Sequence, residues 1–182
     1  VLVHRETKLT IDSVTSDNVH GCQKAVELVL KMGYKRFYVA KSGLTVPNLA
    51  ERHQAFRDHL RAKGVPDENV VIVEDFNVHP YEVAFEKIFE TFTPDGPKSL
   101  IFSPSDVFAR ATTDFLRERG FHFGENVGVL GFEGMGYASM REPKVTTFNI
   151  HTEAIGAKAA SVLASRLNGE NLFPPGNHTV PC

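Results

Sequence analysis

Ser99-Leu100-Ile101-Phe102-Ser103-Pro104-Ser105-Asp106 decides the fold. Four residues of mostly apolar character give way to a loop of small polar residues and proline, and then a helical pattern begins. The same grammar recurs on both sides. Phe37–Ala40 leads into Lys41-Ser42-Gly43, Val70–Val73 into Glu74-Asp75-Phe76, and Val127–Leu130 into Gly131-Phe132-Glu133. Strand and helix patterns alternate about every 30 residues, which argues for βαβ units and a parallel sheet. The expected class is α/β, a three-layer α/β/α arrangement with a mainly parallel sheet. In an open parallel sheet the loops at the carboxyl ends of the strands gather along one edge, where ligands bind. That edge would collect a serine-rich loop, several carboxylates and an aromatic ring. The mixture suits a neutral polyol better than a phosphate or a metal.

The helices between the strands are punctuated. Asp17 or Asn18 can cap a helix carrying Val19, Cys22, Val26 and Val29 at 3–4 spacing, with Gly33 at its end. Asn48 and Glu51 make a capping-box pattern ahead of Leu49, His53, Phe56 and Leu60, closed by Gly64. Pro80 suits a first helical turn ahead of Val83, Ala84 and Ile88, and Thr93-Pro94 stops that run. Asp106 is expected to cap Val107–Arg119, with Gly120 as the stop. Beyond Phe132 the pattern changes: Glu133–Pro143 is glycine-rich and irregular, Val145–Phe148 is β-like, and Thr152–Leu167 is an amphipathic helix. The strand pattern at Val1–His4, that last helix and the tail near Val180 flank the regular block. They are expected to belong to a second lobe.

Composition narrows the function. The chain has 182 residues, 42% hydrophobic and 23% charged, enough for a substantial core. Its formal net charge is −2, and no run of Lys or Arg exceeds two residues, so this chain lacks the basic stripe of a nucleic-acid binder. The two cysteines, Cys22 and Cys182, make no disulfide framework and read as reduced thiols of a cytoplasmic protein. No apolar stretch approaches the roughly 18–20 residues that span a bilayer. Asn177-His178-Thr179 matches a glycosylation sequon, read as chance without a secretory signal. The chain opens inside Val1-Leu2-Val3 and closes on Val180-Pro181-Cys182, so both ends look like cuts through a larger protein.

An ordered series of segments carries a family likeness: Ser16-Asp17-Asn18-Val19-His20-Gly21, Lys31-Met32-Gly33-Tyr34-Lys35-Arg36-Phe37, and Arg52-His53-Gln54-Ala55-Phe56. Ser105-Asp106-Val107-Phe108-Ala109, Asn126–Glu133 and Pro143–Phe148 follow in order. The series resembles the effector-binding half of LacI/GalR-type transcription regulators, built on the periplasmic-binding-protein fold, over nearly the whole chain. The resemblance implies a two-lobed sensor with a small sugar or related polyol in the cleft. It also implies a homodimer with part of its contact around Tyr137–Pro143, and DNA binding only through a helix-turn-helix region that this chain lacks. Residues 16–149 would form the carboxyl-terminal lobe; residues 1–15 and 150–182 would be crossover segments and remnants of the amino-terminal lobe. No cofactor, membrane partner or bond chemistry is implied, and with half the cleft missing the chain alone should bind its effector weakly or not at all.

The same resemblance supplies candidate ligand-binding residues. Arg52 matches the arginine that reaches into the cleft, where its fork can hold two neighbouring hydroxyls or a carboxylate at once. Phe76 falls where a ring packs on the apolar face of a sugar. Ser105 and Asp106 stand at the positions of an Asn-Asp pair, and Asp106 doubles as the expected helix cap. Glu133 replaces a commoner Asp, and its added methylene moves the carboxylate inward. Asn149 and Thr152 are hinge-side candidates.

Two other readings stand beside it: a periplasmic sugar-binding protein of a transport system, and a flavodoxin-like α/β enzyme. The residues offer little to catalysis. Ser105, Asp106 and His122 could form a triad only without the G-x-S-x-G elbow. The eight histidines lack paired metal spacing, and Gly131, Gly134 and Gly136 do not make a dinucleotide fingerprint.

Overall fold

The structure is a computed structural model that describes residues 1–4, 11–43, 46–74, 82–93, 95–123, 125–140 and 142–182. Along the chain run β1 (Leu2–Val3), β2 (Ser13–Ser16), α1 (Asn18–Lys31), β3 (Arg36–Ala40), α2 (Pro47–Ala62) and β4 (Val70–Val73). They are followed by α3 (Glu82–Thr91), β5 (Ser99–Phe102), α4 (Asp106–Glu118), β6 (Val127–Glu133), β7 (Thr146–Asn149), α5 (Thr152–Leu167) and β8 (Asn177–Val180).

Because successive side chains on a strand face opposite sides, each apolar run feeds two cores at once. Phe37, Val39, Leu100, Phe102, Leu130 and Phe132 face one side, with Cys22, Val26 and Val29 of α1 and Phe56 and Leu60 of α2. Tyr38, Ala40, Val73 and Ile101 face the other, with Phe85 and Ile88 of α3 and Leu116 of α4. The expected three-layer α/β/α arrangement is thus what the chain builds. Its sheet is parallel throughout, in the order β4-β3-β5-β6-β7. From β3 the chain steps outward to β4 and then returns to the opposite side of β3 for β5. A crevice therefore opens beyond the carboxyl ends of β3 and β5, where the order reverses.

The flanking segments make a second parallel sheet, β1-β2-β8, on which α5 packs. Two of its strands, at Ser13–Ser16 and Asn177–Val180, were not evident as strands from the sequence. Both are short and polar, and long-range pairing defines them rather than an apolar run. The strand expected over Val1–His4 covers Leu2–Val3, and β6 runs on to Glu133, three residues past the expected end.

Two expected caps are replaced by other contacts. Ser105, not Asp106, occupies the N-cap of α4, and it makes no side-chain capping bond. The cap of α2 is Val46, with Pro47 at the first helical position. Asn48 and Glu51 form no capping box there: the Asn48 amide donates to the His4 carbonyl at 2.9 Å and Glu51 accepts from Asn18 at 2.5 Å. In both helices a tertiary partner outcompetes the local one. Asp17 does cap α1, accepting from the His20 amide at 3.0 Å. Pro80 and Pro94 lie outside the described residues.

Candidate functional site

At the crevice beyond β3 and β5 lies a cavity of about 290 Å³, lined by residues that include His4, Val46, Asn48, Arg52, Ser105 and Glu133. Arg52 reaches it from the second turn of α2 and is fully buried. A buried guanidinium costs several kcal/mol unless its charge and donors are matched. Here Nε donates to Asn18 Oδ1 at 2.8 Å, and Nη1 donates to the Pro104 carbonyl at 2.9 Å and to Glu133 Oε1 at 3.3 Å. Arg52 Cζ lies over the Phe132 ring, 4.7 Å from its centroid, in a cation–π contact. Nη2 has no hydrogen-bond partner among the described residues. Neither has Asn48 Oδ1, one helical turn earlier on the same face.

Glu133 closes the other side. It ends β6 with φ at 133°, a region that favours glycine and costs a side-chain-bearing residue about 1–3 kcal/mol. Its carboxylate accepts from Arg52 on one oxygen and from Ser105 Oγ, at 2.9 Å, on the other. Arg52, Ser105 and Glu133, far apart in sequence, thus meet in one hydrogen-bonded unit. Directly after Glu133 the chain passes so close to β7 that a Cβ on Gly134 would lie 2.7 Å from the Asn149 Cα.

Asp106 stands behind this wall and does not line the cavity. Its fully buried carboxylate accepts from the Met135 amide at 2.7 Å and from Thr147 Oγ1 at 2.5 Å, bracing the loop after β6 against β7. A Cβ on Gly131 would lie 2.2 Å from Asp106 Oδ1, so β6 needs glycine there. Burial pushes the Asp106 carboxyl above the usual carboxylate range, against the hydrogen bonds from Thr147 and Met135. Asn149 is exposed and accepts from the His151 amide at 2.8 Å; Thr152 is exposed at the start of α5. Neither lines the cavity. Phe76 lies outside the described residues.

Sequence reasoning did not single out Asn18, Asn48 or Phe132 as part of the site. In sequence the two asparagines look like helix caps, and Phe132 like one more core aromatic. The charged and polar groups of the wall are largely matched to one another. The positive charge of Arg52 and the negative charge of Glu133 neutralise each other, and the Ser105 hydroxyl is engaged with a carboxylate. His122 lines a separate hollow with Phe92 and Val127, at the amino-terminal end of β6, so the imagined Ser105–Asp106–His122 triad does not assemble.

The profile of the periplasmic binding protein-like domain matches residues 18–182. The chain belongs to this family. Its likeness to LacI/GalR-type effector-binding domains, expected from the sequence, is borne out by its relatives. The HTH-type transcriptional regulator CelR of Thermobifida fusca is 28% identical over 165 residues, covering 90% of this chain and 48% of CelR. A LacI-family transcriptional regulator from Enterococcus faecium, solved with bound ribose, superposes with a TM-score of 0.78 at 17% identity, covering 98% of this chain and 65% of that one. A dimeric Lac repressor superposes equally well, at 0.78 and 16% identity, covering 96% of this chain and 62% of that one. The chain of this periplasmic binding protein-like member spans about half the length of the curated relatives it matches. Among the described residues no helix is long and apolar enough to cross a membrane.

Proposed function

We propose that this periplasmic binding protein-like chain is the ligand-sensing part of a cytoplasmic LacI-type regulator, and that it holds a small neutral sugar or polyol at the Arg52–Glu133 cavity. The observation that carries the reading is the pairing of a cancelled charge with two unmatched polar atoms. Arg52 Nη2 has a proton to give and Asn48 Oδ1 has lone pairs to offer. A hydroxyl, which both donates and accepts, satisfies the two at once. A phosphate ester is largely dianionic at neutral pH, with few protons for Asn48, and its charge meets the Glu133 carboxylate. At about 290 Å³ the cavity is near the lower end of small-molecule sites, about 300–1,000 Å³. Ribose in the Enterococcus faecium relative fits this class of ligand.

In this reading residues 16–149 form the carboxyl-terminal lobe, and the small sheet and α5 lead toward an amino-terminal lobe that closes over the ligand. Residues 1–15 and 150–182 serve as crossovers. Closure favours one arrangement of a homodimer, and a helix-turn-helix region of the whole protein presents that arrangement to DNA. A ligand moves such an equilibrium only by binding one state better than the other.

Calorimetric titration of the chain with D-ribose, D-xylose and D-ribose 5-phosphate tests the ligand class. Heats from the neutral sugars, weaker than micromolar and abolished in Arg52→Lys, are expected, with none from the phosphate ester. Preference for the phosphate ester, micromolar sugar binding by this chain alone, or heats that persist in Arg52→Lys would sink the proposal.

A further inference from the structure

Asn18 joins β2 of the small sheet to α2 at the level of the ligand site. It is the first residue of α1, two positions after the last residue of β2, and it is 1% exposed. Its Oδ1 accepts from Ser16 Oγ, on β2, and from Arg52 Nε, each at 2.8 Å. Its Nδ2 donates to Glu51 Oε2, one residue before Arg52 on α2. An amide is the side chain that fits these demands, because one end must accept twice while the other donates to a carboxylate. From Arg52 the same chain of bonds continues through Nη1 to Glu133 and on to Ser105. A continuous polar path thus runs from β2 of the small sheet to the wall of the cavity. It is buried at Ser16, Asn18 and Arg52, where hydrogen bonds are strong and misalignment is costly.

We infer that Asn18 is a positioning residue through which the crossover strand β2 sets the Arg52 fork, so that ligand binding and the path of the crossover are coupled. The inference rests on the sugar-binding reading for its consequence, though not for its test. Arg52 has five N–H donors in one rigid plane. With Nε held by Asn18 and Nη1 by Pro104 and Glu133, the direction of Nη2 is determined. A shift of β2 relative to α2 moves Asn18 Oδ1 off the Nε axis and tilts that plane. Conversely, a ligand that draws Nη2 into a new bond pulls on Asn18 and, through Ser16, on β2. A buried chain of directional bonds transmits such displacement in both directions.

The test reads the Arg52 Nε–H proton directly, by side-chain ¹H–¹⁵N spectra and hydrogen exchange on the chain as it stands. In the wild type this proton exchanges slowly. Asn18→Ala speeds its exchange by about tenfold or more, the scale set by one buried hydrogen bond to a charged group, while the amides of Phe37–Val39 and Leu100–Phe102 keep their protection. Ser16→Ala, which cuts only the link to β2, speeds it by a smaller factor. Asn18→Asp alone sets a carboxylate against Glu51 and also quickens exchange. The swapped pair, Asn18→Asp with Glu51→Gln, reverses the direction of the bond between these two positions, keeps the acceptor for Ser16 and Arg52, and brings back slow exchange. Unchanged exchange in Asn18→Ala, or in Ser16→Ala, overturns the inference. If Asn18→Ala loses the protection of β3, the swapped pair decides: slow exchange supports the role and fast exchange refutes it. No sugar enters these measurements, so a failed sugar titration and a failed relay are told apart.

Discussion

The two sheets of this chain are held together by different physics. In the five-stranded sheet, β3 and β5 are buried almost throughout, and their residues feed apolar cores on both faces. In the three-stranded sheet only β2 is fully buried, while β1 and β8 alternate between half-buried and exposed. Polar links tie that sheet. Ser13 Oγ donates to Asn177 Oδ1 at 2.9 Å, and Asp12 accepts from Arg166 Nε at 2.9 Å and Nη2 at 3.1 Å and from the Gly176 amide at 3.1 Å. The contrast teaches where adaptability lies. An apolar core of close-packed rings resists rearrangement, whereas a sheet joined by a few directional bonds can loosen locally without unfolding its neighbour.

The strongest test removes a ring from the large core. Phe56 and Phe102 stack with centroids 3.9 Å apart, and both are fully buried. Phe102→Ala should cost about 3–5 kcal/mol in urea denaturation and lower the protection of the whole large sheet together. A loss confined to β5 would break the picture of one cooperative core.

Between the two regions in expected effect stands Asp106, the polar brace inside the large sheet. Burial raises its carboxyl above the ordinary 3.8, so the folded state keeps that proton to higher pH than the unfolded chain. Wild-type stability therefore falls as pH rises from 3.8 through the folded value and levels off above it. Asp106→Asn should abolish this slope and cost about 1–3 kcal/mol, because Met135 and Thr147 donate to different carboxylate oxygens and the amide replaces one of those acceptors with an NH2 group. Urea midpoints across the acid range, compared for the two proteins, check the sign; parallel profiles would contradict it.

The smallest effect is expected in the small sheet. The hydrogen bond from Arg166 does most to hold the Asp12 carboxyl at about 2, well below the usual carboxylate range. The folded value lies under the unfolded one, so this contribution is complete above 3.8 and drains away as pH falls through about 2. Asp12→Asn should quicken amide exchange in Ser13–Ser16 and Asn177–Val180 and leave Phe37–Val39 unchanged. Should both sheets soften together, the distinction between them fails.

This contrast also explains what was legible beforehand. The large sheet was readable because each strand is an apolar run of about four residues, bounded by turn residues and separated by periodic helices, and burial on both faces demands that pattern. Ser13–Ser16 and Asn177–Val180 carry no such pattern; their pairing joins residues some 164 apart in sequence, as Ser13 and Asn177 do. At the site, Arg52, Ser105 and Glu133 were legible through the family resemblance; Ser105 and Glu133 also stand where strand ends converge on one rim, whereas Arg52 comes from α2. Asp106 was expected both to cap its helix and to meet ligand. It does not cap, and its carboxylate turns to Met135 and Thr147, because Gly131 leaves room for β6 to approach it. Asn18 and Asn48 were hidden by a rule correct on average: Asn at a helix start normally caps.

By itself the order of residues determined the class of fold, the direction of the strands and the rim on which polar side chains gather, because hydrophobic periodicity and turn chemistry act over short spans. Tertiary structure alone decided which polar atoms on that rim are spent on one another and which remain open. Hydrogen bonds select partners by distance and angle, and those are established only when remote segments have packed.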